Sequence, residues 1–154
     1  MPTLRLQVAP LLNPDRYAAL GAALTHITAQ VLHKNPQVTV VMVDDLPPAR
    51  YVVGGHAAAV PIACLEVSVT AGTNTAAEKS RFIRDAYAEL QRQLGTNGKP
   101  LHEASYVIVR ELPATDWGYA GMSQAARRAQ QSSATTSPKA MAMTITMTTA
   151  AVAP

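Results

Sequence analysis

The chain repeats itself, and that repeat limits its fold more than any other feature. Leu4-Arg5-Leu6-Gln7-Val8 alternates apolar and polar side chains, and Leu65-Glu66-Val67-Ser68-Val69 does the same 61 positions later. A period of two predicts a half-buried strand at each. A helix start follows each strand. Asn13-Pro14 offers a capping side chain and a proline suited to the first helical position. Thr75-Ala76-Ala77-Glu78 has the spacing of a capping box. Tyr17, Leu20, Leu24, Ile27 and Val31 then recur every three or four residues, as do Phe82, Ala86, Leu90 and Leu94. Each helix therefore has one apolar stripe to bury.

A second strand follows each helix. Val38 to Val43 is almost wholly apolar, and so is Tyr106 to Val109. Runs apolar on both faces predict central, covered strands. Matching turns follow, Asp45-Leu46-Pro47-Pro48-Ala49 and Glu111-Leu112-Pro113-Ala114-Thr115, and then two hairpin sequences, Tyr51-Val52-Val53-Gly54-Gly55 and Trp117-Gly118-Tyr119-Ala120-Gly121. These later elements lie 66 positions apart, so the second copy carries extra residues, expected in Gly95-Thr96-Asn97-Gly98-Lys99.

The pattern is βαβ-hairpin, twice. A βαβ crossover yields two parallel strands with the helix on one face. Two such units form an α+β domain, with a four-stranded mixed sheet and both helices on one face. The bare face predicts an oligomer. Residues 1–62 make the first unit, carrying Pro2, and 63–128 the second, within the same globular domain. Residues 129–154 are rich in Ser, Thr, Ala and Met and read as a disordered tail. The alternative there is a Thr-rich strand, Met143 to Met147.

Composition excludes several classes. At 154 residues and 48% hydrophobic, the chain suits one domain and is not disordered throughout. The single cysteine, Cys64, permits neither an internal disulfide nor a Cys zinc site. No apolar run approaches the roughly 20 residues of a membrane span, and the N-terminus lacks the features of a signal peptide. The expectation is a cytoplasmic protein with no membrane partner. The net charge is +3 but Lys and Arg are dispersed, the densest cluster being Arg127-Arg128. That is weak support for nucleic acid, and none is expected as a partner. His26 and His33 stand seven apart, which is not an i, i+4 metal pair, and His56 and His102 are expected in loops. Gly54-Gly55 is a hairpin, not a phosphate loop. No metal or cofactor is expected.

Taken in order, these features resemble the tautomerase superfamily, and specifically its fused 4-oxalocrotonate tautomerase-like members. The resemblance rests on Pro2 after the initiator Met, the strand Leu4 to Val8, the doubled βαβ pattern and the two Gly-containing hairpins. The stretch Glu111-Leu112-Pro113-Ala114-Thr115-Asp116-Trp117-Gly118-Tyr119 adds to it, and the whole covers residues 2–128. It implies the tautomerase β-α-β fold, hexamers for short members, trimers for fused ones, and a catalytic N-terminal proline. The implied reaction moves a proton between carbons, or between enol oxygen and carbon, of a small 2-keto acid. Related members perform hydration or decarboxylation with a charged proline.

The chemistry suits Pro2. Removal of Met1 would leave a secondary amine, which ordinarily titrates near about 8. Burial or a nearby cation lowers that value, giving a neutral base at cellular pH. The second unit aligns Ala63 with Pro2 and so offers no such amine. A small carboxylate-bearing substrate needs cationic partners. The two arginines that the family pattern implies fall at Leu12 or Thr73 and at Val40 or Tyr106, and neither is present. The remaining candidates are Arg110, at the end of a strand beside the second turn, then Arg50 in the first hairpin and Arg5 on the first strand. Tyr51 is expected to wall the proline, with Trp117 as its counterpart in the second unit. Tyr106 and Tyr119 are candidate O–H donors. The competing readings are a non-catalytic ferredoxin-like binding or assembly module, and a relic of the family that has lost turnover. The duplicated hairpin argues against the ferredoxin-like one.

Overall fold

The structure, a computed structural model, describes residues 1–10, 13, 15–95 and 99–135. The first unit comprises β1 (Thr3–Ala9), α1 (Arg16–Leu32), β2 (Val40–Asp45) and a hairpin of β3 (Val52–Val53) and β4 (His56–Ala57). The second comprises β5 (Ile62–Thr70), α2 (Ala76–Leu94), β6 (Tyr106–Leu112) and a hairpin of β7 (Gly118–Tyr119) and β8 (Met122–Ser123), followed by α3 (Gln124–Thr135). The long strands form one mixed sheet in the order β2-β1-β5-β6. β1 runs parallel to β2, β5 runs parallel to β6, and the two units meet antiparallel at β1 and β5.

The repeat is written into the register. Leu4 pairs with Val67 and Leu6 with Leu65, so the offset of 61 maps the central pairing onto itself. Thr3 pairs with Val40 and Cys64 with Tyr106, which carries the offset of 66 into the outer strands. The change of offset falls between α2 and β6, and residues 96–98 of the expected insertion lie outside the described residues.

One core serves both units. Leu4, Leu6 and Val8 of β1 and Ala63, Leu65, Val67 and Val69 of β5 point to the same side. They pack there with Leu20 and Leu24 of α1 and Phe82, Ala86 and Leu90 of α2. Both helices therefore cover one face, as the alternation requires. The helices run antiparallel: the Arg16 guanidinium donates to the Gln93 carbonyl at one end, and Asn74 Nδ2 donates to the Leu32 carbonyl at the other, 3.0 Å away. The capping box holds, with Thr75 Oγ1 accepting from Glu78 N and Glu78 Oε2 accepting from Thr75 N.

Several expectations need correction. The nearly continuous apolar strands β2 and β6 are edges, not centres. Their alternate side chains Val40, Met42, Tyr106 and Ile108 lie on the helix-free face and are exposed in the single chain. Apolarity on both faces records a surface awaiting cover rather than central placement. Val38 sits in a short 3-10 turn, and the strand begins at Val40. Asn13 does not cap α1 directly; the N-cap is Asp15, whose N–H donates to Asn13 Oδ1 at 2.9 Å. Pro14 lies outside the described residues. His56 is in β4 rather than a loop. The ferredoxin-like alternative fails on topology. A split βαβ unit separates its parallel strands by a third, whereas β1 and β2 here are bonded neighbours. Finally, α3 runs to Thr135, past the expected end of the folded unit at 128. The expected tail strand at 143–147 lies outside the described residues. No helix among the described residues is long and apolar enough to cross a membrane.

Candidate active site

Pro2 stands at the head of β1. Its carbonyl accepts from Val40 N at 3.2 Å, extending the β1–β2 pairing by one residue, and its side chain is buried. Beside it opens a cavity of about 350 Å³. Its walls carry Lys34, Arg127 and Arg128, and no Asp or Glu among the described residues lines it. The N-terminal amine, borne here on Met1, is pushed below its ordinary value first by burial and then by the charges of Lys34, Arg128 and Arg127. An amine in this position is disfavoured as a cation.

Lys34 arrives from the end of α1. His33 closes the helix in a left-handed conformation, φ 54°, and so turns the next residue back toward the sheet. Lys34 Nζ donates to Thr73 Oγ1 at 2.9 Å. Thr73 is one of the positions at which the resemblance implies an arginine, and here the Lys34 ammonium stands beside it. Burial lowers the Lys34 pKa, Glu78 opposes that shift, and Arg128 adds to it.

The other two cations come from α3. The hairpin before it turns through Ala120 and Gly121, both left-handed, at φ 48° and 73°, the pattern of a type I′ turn. Gly118 must be glycine, because a Cβ there would lie 2.2 Å from the Met122 carbonyl oxygen. Gln124 N donates to Trp117 O at 3.0 Å and Ala125 N to Ala114 O at 2.9 Å, which fasten the helix start to the preceding turn. Gln124, Arg127, Arg128 and Gln131 follow the i, i+3, i+4, i+7 spacing of one helical face, and all four line the cavity. Arg127 is held on two sides: its Nη2 donates to Tyr119 O at 2.9 Å, and its guanidinium lies 3.7 Å from the Tyr119 ring centroid.

The predicted site residues scatter. Pro2 and Tyr119 reach the cavity; Arg110, Tyr51, Tyr106, Trp117 and Arg50 do not line it within one chain. Arg110 is on the helix-free face, with Nη2 donating to Glu66 Oε2 at 2.9 Å. Arg5 is exposed on that face too. Tyr106 is 61% exposed on the edge strand. Tyr51 is half-buried, and its hydroxyl pKa is raised by burial and then by Cys64 and Tyr106. Arg50 ends a short 3-10 turn and is exposed. Trp117 lines a shallow depression beside the second hairpin.

Sequence reasoning did not single out Lys34, Arg127 and Arg128 as candidates, and all three line the cavity. The α3 pair had a signal in the helical spacing of Gln124, Arg127, Arg128 and Gln131. Lys34 had none, since its place depends on where the α1 terminus meets the β5–α2 loop. Among the described residues the second unit lacks the Pro2 amine and the helix that carry this cavity. Ala63 N donates to Ser105 Oγ at 3.1 Å where Pro2 has its nitrogen. After β4 the chain passes into β5, leaving no counterpart of α3.

No protein-family model matches the chain, and no curated protein matches it. Solved structures do. Q0, a wild-type fused 4-OT described as a symmetric trimer, is 25% identical, with TM-score 0.70, over 81% of this chain and 98% of that one. N1, a member of the cis-3-chloroacrylic acid dehalogenase family, is 19% identical with TM-score 0.68, over 87% of this chain and 92% of that one. Pt0534, solved after inactivation by 2-oxo-3-pentynoate, is 17% identical with TM-score 0.70, over 81% and 98%. Its paired βαβ units, its sheet order and these likenesses give the chain the fold of the fused 4-OT structures of the tautomerase superfamily.

Proposed function

We propose that the protein is a tautomerase acting on a small 2-keto or enol acid, with the Pro2 amine as general base once Met1 is removed. The observation that carries this reading is the company Pro2 keeps: a buried position beside a cavity whose charged walls are Lys34, Arg127 and Arg128. Those cations serve twice. They hold the substrate carboxylate, and they keep the neighbouring amine neutral at cellular pH. For an enol acid, the amine nitrogen takes the enol O–H proton and becomes an ammonium. The electron pair then forms the C=O bond, and the former C=C carbon takes the proton back from nitrogen. Charge developing on the enol oxygen is met by fixed cationic donors. A cavity of about 350 Å³ suits a ligand of a few heavy atoms. Arg110, Arg50, Tyr51, Tyr106 and Trp117 enter this reading only as residues that an adjoining subunit could bring to the cavity.

The bare sheet face, with Val40, Met42, Tyr106 and Ile108 exposed, and the trimeric fused 4-OT relative support a homotrimer with one site per chain. The test is Pro2→Ala. It should abolish conversion of phenylenolpyruvate from enol to keto form while leaving the oligomer size unchanged. Full turnover in that variant would contradict the mechanism.

A further inference from the structure

We propose that Gln124 and Arg127 form a paired donor site on α3 that holds a carboxylate of the substrate. This places the carboxylate site in the C-terminal helix rather than at the positions where the family pattern has arginines; it rests on the reading of the Pro2 cavity as a substrate site. Two buried nitrogens carry the argument. Gln124 is only 8% exposed, yet its Nε2 has no hydrogen-bond partner among the described residues. Arg127 Nε is buried and unpartnered in the same sense. Native proteins leave few such groups, because each forfeits its hydration without replacement. Here both residues line one cavity and stand three apart on one helical face.

The geometry is set in advance. The bond from Arg127 Nη2 to Tyr119 O and the stacking on the Tyr119 ring fix the plane of the guanidinium. Its Nε–H direction is thereby fixed too. A carboxylate has only acceptors and a planar pair of oxygens, which suits a guanidinium N–H and an amide N–H carried on one helical face. No carboxylate of the described chain lines the cavity to fill that role. Gln124 adds a directed donor without adding charge, so the pair selects for an oxygen acceptor rather than for any anion. The neighbouring Arg128 supplies further positive potential.

The test is equilibrium binding of fumarate, an unsaturated dicarboxylate, to the full chain, followed by NMR titration at fixed ionic strength. Gln124→Leu removes the orphan donor at similar volume; Arg127→Lys keeps the charge and loses the Nε–H. Each variant should weaken fumarate binding by about tenfold or more, the loss expected for one hydrogen bond to a charged group. Gln124→Leu should at the same time keep or raise the melting temperature without ligand, since it removes a buried unmet donor. A structural role for Gln124 predicts a lower melting temperature instead. No saturable binding by the wild type, or equal affinity in wild type and both variants, would overturn the proposal. Pro2→Ala in the same titration separates the two readings. If it binds fumarate through Gln124 and Arg127 while the wild type turns over no enol acid, the donor site stands and the catalytic reading falls. If the wild type turns over substrate but binding ignores both α3 variants, the reverse holds.

Discussion

Leu24→Ala should unfold both repeats together. Leu24 lies on α1 of the first unit, is fully buried, and shares one cluster with Leu65, Phe82 and Leu90 of the second. Truncation removes three carbons from that cluster and leaves a space between α1 and the sheet. For a fully buried leucine the combined transfer and cavity terms cost about 3–5 kcal/mol. With a urea m-value of about 2 kcal/mol per molar, the midpoint should fall by roughly 1.5–2.5 M. The assay uses a built-in reporter, because Trp117 is the one tryptophan and belongs to the second unit. Its fluorescence and the far-UV circular dichroism should shift by the same amount and remain superimposable, with protein concentration held fixed so that assembly contributes equally. A Trp117 transition that stays at the wild-type midpoint, with a biphasic dichroism curve, would refute the shared core.

Three further outcomes follow from the structure. Burial and then the charge of Lys34 lower the N-terminal amine borne on Met1, and the same cation faces the Pro2 amine once Met1 is removed, so Lys34→Gln should move the rising limb of inactivation by 2-oxo-3-pentynoate to higher pH; an unmoved limb would remove Lys34 from the site. The Glu111 carboxyl is held below its ordinary 4.5 by a hydrogen bond from Lys79 and then by the Gly72 N–H. A depressed carboxyl contributes stability above its ordinary value that is lost as pH falls through the folded value, so Glu111→Gln should flatten the decline of melting temperature below about pH 4.5, measured by differential scanning fluorimetry. Ile108→Glu puts a charge on the exposed apolar edge of the helix-free face, and sedimentation should show dissociation toward monomer; a variant that keeps the wild-type mass would place the subunit contact elsewhere.

The duplicated strands, the helix stripes and the capping box were legible because each depends on spacing within a few residues. The offsets of 61 and 66 even carried the sheet register, since a period of two fixes which side chains share a face. What local pattern could not decide was which strand sits at the edge. Val40, Met42, Tyr106 and Ile108 are apolar for a surface that a single chain leaves open. The site divided in the same way. Pro2 could be put forward from its position and the resemblance, and the structure sets it beside the cavity. The cations could not, because Lys34 and the α3 pair reach the cavity through tertiary placement. By sequence Arg127-Arg128 is only a basic pair among dispersed charges; in the fold its helix packs against the second hairpin. Arg110, the arginine favoured on sequence grounds, is instead tied to Glu66 across the sheet.

The central claim, a free and neutral amine at Pro2, is tested most directly by intact mass before and after exposure to 2-oxo-3-pentynoate at neutral pH. The account predicts loss of Met1 and a single adduct per chain, mapped to Pro2 and absent in Pro2→Ala. A retained Met1, or an adduct only on Cys64 or a lysine, would contradict it.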